Sequence, residues 1–157
     1  MIPIRFVALP AEQAAALRAG EPDAYGRAPE QYVSPESGAP CRHCLREIEA
    51  GESLLTLAYR PFPKIQPFAE TGPIFMHAEP CERYPETDRV PEMFLKRAQM
   101  LIRGYDRRHR IVYGTGQAVP TEEVVSAASE LLARPEIAYV HLRSAQYNCY
   151  QCRVERA

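Results

Sequence analysis

Two cysteine pairs stand at the spacing of metal ligands in this chain, Cys41-Arg-His-Cys44 and Cys149-Tyr-Gln-Cys152, with His77-Ala-Glu-Pro-Cys81 between them. Thiolates two residues apart can turn toward one point, and a borderline-soft cation such as zinc gathers N and S ligands in a tetrahedron. The sharpest combination is Cys41 and Cys44 with His77 and Cys81. The segment between the two halves closes into a loop at modest entropic cost, because closure entropy grows slowly with length. Such a set predicts a metal site, with zinc as the cofactor.

The run from Cys41 to Glu52, Cys-Arg-His-Cys followed by Leu-Arg-Glu-Ile-Glu-Ala-Gly-Glu, resembles the knuckle and first hairpin of treble-clef zinc fingers. In that arrangement a turn presents two thiolates, a Gly-Glu turn begins the hairpin, and the later His77 and Cys81 complete the site from a strand end.

Other readings of the same residues stay open. Cys149 and Cys152 form an alternative metal or thiol pair with Cys41 and Cys44, but on a regular strand their side chains point to opposite faces. A redox reading makes Cys41 and Cys44 a dithiol activated by Arg42 and His43. Redox pairs of that kind open a long helix, and Gly51 cuts this one short. A small enzyme using the thiolate of Cys41 or Cys149 with a histidine is a further alternative, as is an open catalytic metal site with a water in the fourth position. Buried, inert thiols are the plain alternative to all of these, since free cysteine packs as a small hydrophobe.

Around these sites His43, His141, Arg143 and Arg153 are candidates for binding a ligand, an anion by their charge. His141, with Tyr139 and Arg143, occupies the polar side of the alternating run Ile137 to Arg143, and the reading favoured for that side is a wet sheet face. Gly114-Thr-Gly116 has too few glycines and no lysine for a phosphate cradle, so it reads as a turn. The basic run Arg107-Arg108-His109-Arg110 reads as solvated.

These residues need a scaffold, and hydrophobic periodicity supplies its outline. Ile2 to Leu9 reads as a strand, followed by a helix from Pro10 to Ala19 that stops at Gly20. Residues 20–40, with Pro22, Pro29, Pro35 and Pro40, and residues 60–72 read as proline-rich loops. Strands are expected at Ser53 to Tyr59, Pro73 to Met76, Ile111 to Tyr113, Ile137 to Arg143 and Cys149 to Glu155, the last two as a hairpin. Helices are expected from Pro91 to Gly104, on the spacing of Phe94, Leu95, Ala98, Leu101 and Ile102, and from Thr121 as N-cap to Arg134. The fold class is α+β: a single compact domain over residues 1–157, with a mixed or mainly antiparallel sheet and about three helices.

The bulk composition narrows the function classes. With 157 residues the chain can bury a core without a metal staple. Nineteen Lys and Arg against 20 Asp and Glu leave a net charge of -1, which argues against nucleic acid as the partner and leaves a small molecule or a protein. No apolar run approaches the roughly 18 residues of a membrane span, and the N-terminus lacks a signal-peptide pattern. The expected location is the cytoplasm, where five cysteines stay reduced.

Short stretches in a fixed order also carry a family resemblance: Arg5-Phe-Val-Ala-Leu-Pro10, Pro40-Cys-Arg with Gly51-Glu, Gly72-Pro-Ile-Phe75, Ala138-Tyr-Val-His141, Cys149 and Arg153-Val-Glu-Arg156. Together they resemble the bacterial family named domain of unknown function 1203. The resemblance implies a single compact domain of bacterial, cytoplasmic origin. It makes Cys41, Cys149 and Arg153 recurrent positions, with Cys44, His77, Cys81 and Cys152 less uniform.

Overall fold

A computed structural model describes residues 1–157. Strand β1 (Ile4–Val7) leads into helix α1 (Ala11–Arg18), and short strands β2 (Glu30–Val33), β3 (Ala39–Pro40) and β4 (Glu47–Ile48) precede β5 (Ser53–Tyr59) and β6 (Gly72–His77). The second half contains β7 (Gln99–Tyr105), β8 (Gln117–Pro120), helix α2 (Val124–Leu132), β9 (Tyr139–Ser144) and β10 (Tyr150–Arg156). All strand ladders are antiparallel, in a five-stranded sheet ordered β1-β10-β9-β7-β8, a three-stranded sheet ordered β2-β5-β6, and the β3-β4 hairpin. The class is α+β.

Helix α2 covers one face of the larger sheet. Its residues Val124, Ala128, Leu131 and Leu132 recur at helical spacing and pack with Phe6, Met100, Ile102, Val140, Leu142 and Val154. Burying a Leu or Val side chain contributes roughly 1.5–3 kcal/mol, so this face anchors the helix. A second core lies between α1, the smaller sheet and the Cys41–Cys44 turn, where Leu9, Ala14 and Leu17 meet Ile48, Leu54, Leu57, Ile74 and Met76.

Several expectations are corrected. Residues 91–104 form no α-helix: Glu92–Phe94 is a single 3₁₀ turn, and Gln99–Tyr105 is β7, an inner strand of the larger sheet. The buried residues Met100, Ile102 and Gly104 alternate with Leu101 and Arg103, and the edges of β8 and β9 satisfy both sides of its backbone. Gly104 is therefore no helix stop. A Cβ there would stand 3.0 Å from Ile137 Cδ1 and 3.2 Å from Thr115 Oγ1, so the glycine lets these side chains pack onto the strand.

With that helix gone, two α-helices remain instead of about three. Thr121 opens a 3₁₀ turn and donates its hydroxyl to Arg97 O instead of capping α2. Loop 20–40 contains the edge strand β2, strand β8 escaped the sequence reading, and Ile111 contributes only an isolated bridge to Tyr105.

The far face of the larger sheet is not wet. Tyr139, His141 and Arg143 are all buried, covered by Phe62 and the rest of loop 60–72. Glu70 from that loop contacts Arg103 and lies 3.7 Å from Arg143. Alternation of polar and apolar residues along β9 thus marks two buried faces, one aliphatic and one aromatic and cationic.

Candidate metal centre

The metal-ligand residues come from three places in the chain. Cys41 to Cys44 is the turn that joins β3 to β4, held by Leu45 N–H donating to Cys41 O at 2.9 Å and Cys41 N–H donating to Arg46 O at 3.0 Å. Closing so tight a turn puts Leu45 in the left-handed region at φ 53°, a cost usually met by glycine. Burial of its side chain in the large core offsets that cost.

A parallel bridge from Cys41 to Phe75 and a bond from Arg42 N–H to Phe75 O, 3.1 Å, fasten the turn to β6. His77 is the last residue of β6, and Cys81 follows in the loop that leaves it.

The ligand atoms of Cys41, Cys44, His77 and Cys81 all lie within 4.8 Å of one another. Cys41 Sγ and Cys81 Sγ are 3.9 Å apart, and Cys44 Sγ and His77 Nδ1 are 3.5 Å apart. Zn–S bonds of about 2.3 Å and a Zn–N bond of about 2.0–2.1 Å at tetrahedral angles give S–S edges of about 3.8 Å and S–N edges of about 3.6 Å. The two measured edges fit a tetrahedral metal site.

The surroundings suit an anionic cluster that holds a cation. His77 N–H donates to Cys41 Sγ at 3.3 Å, and Arg18, the last residue of α1, donates through Nη2 to Cys81 Sγ at 3.0 Å. Arg18 Nε also donates to His77 O at 3.1 Å, tying helix to strand. Beside Cys44, a hydrogen bond to its sulfur raises the Arg46 guanidinium above its ordinary value. On the far side of the imidazole, His77 Nε2 lies 2.7 Å from Glu52 Oε2. Metal-ligating histidines commonly carry such a carboxylate, which fixes the tautomer and raises ligand basicity.

As free acids and bases Cys41, His77 and Cys81 are shifted far from their ordinary values. Hydrogen bonds to Cys44 and then Cys81 hold the Cys41 thiol well below its ordinary value, whereas those to Cys41 and then Cys44 push Cys81 up. His77 is raised to about 10 by its hydrogen bonds to Cys41 and then Cys44. A metal must displace these protons, so binding releases them.

A family model described as protein of unknown function (DUF1203) matches residues 38–156. The chain belongs to the DUF1203 family. The match contains the whole cysteine and histidine cluster and leaves Arg5-Phe-Val-Ala-Leu-Pro10, at the start of the chain, outside it. No curated protein and no solved structure matches the chain.

Other sequence candidates fall elsewhere in this DUF1203 chain. Cys152 is buried under α2 in the large core, and burial pushes its thiol up. Cys149 lies in a separate cleft with its Sγ toward Tyr147 O, 3.8 Å away. The strand register shifts at a bulge between Tyr150 and Cys152, and neither sulfur belongs to the four-residue cluster. His43 is buried with Nδ1 2.9 Å from Leu9 O, which makes it a tie to the β1–α1 connection.

His141 is enclosed by Phe62, Tyr105, Tyr139 and Tyr150, and neither ring nitrogen has a hydrogen-bond partner. Burial first, then the charges of Arg143, Arg153 and Arg103, holds its pKa well below the ordinary value, so the ring is neutral. Arg153 sits over the Tyr139 ring at 3.7 Å. Sequence reasoning missed Arg18 and Glu52 at the metal centre. A basic last residue of α1 and the Gly51-Glu52 turn were visible, but only the fold brings them to the cluster.

Proposed function

We propose that Cys41, Cys44, His77 and Cys81 hold one zinc ion as a closed structural site, and that this DUF1203 chain is a metal-stapled binding module of the bacterial cytoplasm. The observation that carries the reading is the pair of ligand separations, 3.9 Å and 3.5 Å, at the edges of a tetrahedron. Four protein ligands leave no coordination position for water, which separates a structural zinc from a Lewis-acid one. Three soft sulfurs with one imidazole favour zinc over hard cations such as magnesium or calcium.

Placement supports a staple. The ion would join the β3–β4 turn, the end of β6 and the following loop, while Arg18 couples α1 to the same point. Five free cysteines suit a reducing compartment, and no helix is long and apolar enough to cross a membrane. The burial of His141 and Arg143 makes them a ligand site only if loop 60–72 opens, and the half-buried Arg153 is engaged by Glu155 and the Tyr139 ring, so the surface to test first lies elsewhere.

The test is metal content of untagged protein purified without added metal. About one zinc per chain is expected, lost in Cys44→Ser and kept in Cys152→Ser. Metal-free, folded wild-type protein would overturn the reading, as would zinc retained by Cys44→Ser.

A further inference from the structure

Arg42 sits inside the Cys41–Cys44 turn but points away from the sulfurs. It is only 2% exposed. Its Nε donates to Tyr150 O at 2.7 Å and its Nη1 to Pro40 O at 2.8 Å, so the guanidinium bridges the metal-bearing turn and β10. No carboxylate pairs with it: its two partners are carbonyls, and Nη2 has no partner in the protein. A buried guanidinium without a counter-charge is costly unless something else supplies the negative charge.

The cleft that Arg42 lines, with a volume of about 1050 Å³, contains a second such group. Arg97 is half-buried, with its guanidinium 5.1 Å from the Phe94 ring centroid and Nη1 3.9 Å from Met100 Sδ, and it too lacks an ion pair. Glu36 is the one acidic residue lining the cleft. Burial lowers the Arg42 guanidinium to about 10, with the like charge of Arg97 lowering it further, and burial also lowers Arg97. Both remain cationic at neutral pH.

The rest of the lining is suited to an organic body. Phe75, Leu54, Tyr32 and Tyr147 supply apolar wall, and Gln151, itself 2% exposed, has an Oε1 without a hydrogen-bond partner. Ligand sites commonly combine such a wall with a few convergent polar groups. None of these residues is a metal ligand, Leu54 and Phe75 root the cleft wall in the second core, and the metal-bearing turn fixes the position of Arg42.

We infer that this cleft binds a small organic anion, an aromatic or aliphatic molecule carrying a phosphate or carboxylate, with Arg42 and Arg97 holding the anionic group. Arg42 supplies a preset donor from the floor, and Arg97 reaches it from the wall. Planar guanidinium forks suit both phosphate and carboxylate oxygens.

The probes are phenyl phosphate and benzoate, with phenol as the neutral counterpart, titrated into full-length metal-loaded protein and followed by backbone amide NMR shifts. At least one of the two anions is expected to saturate, with shifts at Gly38, Gln99 and Cys149, and phenol to bind at least tenfold more weakly. Arg97→Gln is expected to weaken the bound anion at least tenfold, and Arg107→Gln, on the exposed turn after β7, to leave it unchanged. Arg42→Gln removes two structural bonds and risks unfolding, so Arg97→Gln carries the decision. The inference fails if neither anion saturates, if phenol binds as well as they do, if Arg97→Gln titrates like wild type, or if the shifts map outside the cleft.

Discussion

His77 Nε2 lies 2.7 Å from Glu52 Oε2, while Nδ1 of the same ring faces Cys44 Sγ at 3.5 Å. One imidazole thus connects the cysteine cluster to a carboxylate at the start of the β5 hairpin. A carboxylate in that position orients the ring and strengthens it as a donor, and its loss typically costs 10–100-fold in metal affinity. Glu52→Gln should therefore weaken zinc binding by about 10–100-fold at unchanged stoichiometry. Competition against a chromophoric chelator measures it, and an unchanged affinity would count against the carboxylate's role.

Removing the metal should loosen the protein locally. The larger sheet and α2 share a core of 18 buried residues that contains none of the four ligands and includes Leu45, the neighbour of Cys44. Chelation should leave amide protection in β7, β9, β10 and α2 and abolish it in residues 38–48 and 77–84. Hydrogen exchange distinguishes this from global unfolding. At zinc about 1,000-fold above Kd the ion should add about 4 kcal/mol to stability.

Gly104→Ala should destabilise the chain by about 1–3 kcal/mol, the range for overpacking a filled core. The new methyl would meet Ile137 Cδ1 at 3.0 Å and Thr115 Oγ1 at 3.2 Å, and Thr115 Oγ1 already accepts the Gly104 N–H. Urea denaturation of metal-loaded protein reads this directly. A neutral result would mean that Ile137 yields easily.

His141→Leu should stabilise the protein by about 1 kcal/mol, because a leucine removes two buried nitrogens that lack partners. Thermal unfolding measures the change. A large loss of stability would show that the imidazole makes interactions its surroundings do not reveal.

Asp23 gives a pH dependence of known sign. Partial burial pushes its carboxyl up, but backbone N–H groups of Ala58, Arg27 and Tyr25 outweigh this and hold its pKa below the ordinary value. The folded pKa is thus depressed, so the stabilisation is complete above the unfolded value of about 3.9 and disappears as pH falls through the folded value. The stability difference between wild type and Asp23→Asn should shrink from pH 6 toward pH 3. A difference that grows on acidification would reverse the assigned sign.

What the sequence revealed follows from which interactions are local. The spacing of Cys41, Cys44, His77 and Cys81 was readable because each half of the site belongs to one short segment. Helix α2 was readable because Val124, Ala128, Leu131 and Leu132 keep helical spacing. Strand β7 was misread because adjacent Leu101 and Ile102 satisfy a helical template as well as an alternating one, and only pairing with β8 and β9 decides between them. The wet face assigned to His141 failed for a similar reason: loop 60–72 covers it, and nothing in β9 itself encodes that cover. The cleft is tertiary altogether, since Arg42, Arg97 and Gln151 come from distant segments.

X-ray absorption at the zinc edge of the purified wild-type protein tests the four-ligand site most directly. Three sulfurs at about 2.3 Å and one imidazole nitrogen at about 2.0–2.1 Å are expected. A first shell with fewer than three sulfurs, or with a water oxygen in place of the imidazole, would contradict the closed Cys41, Cys44, His77, Cys81 site.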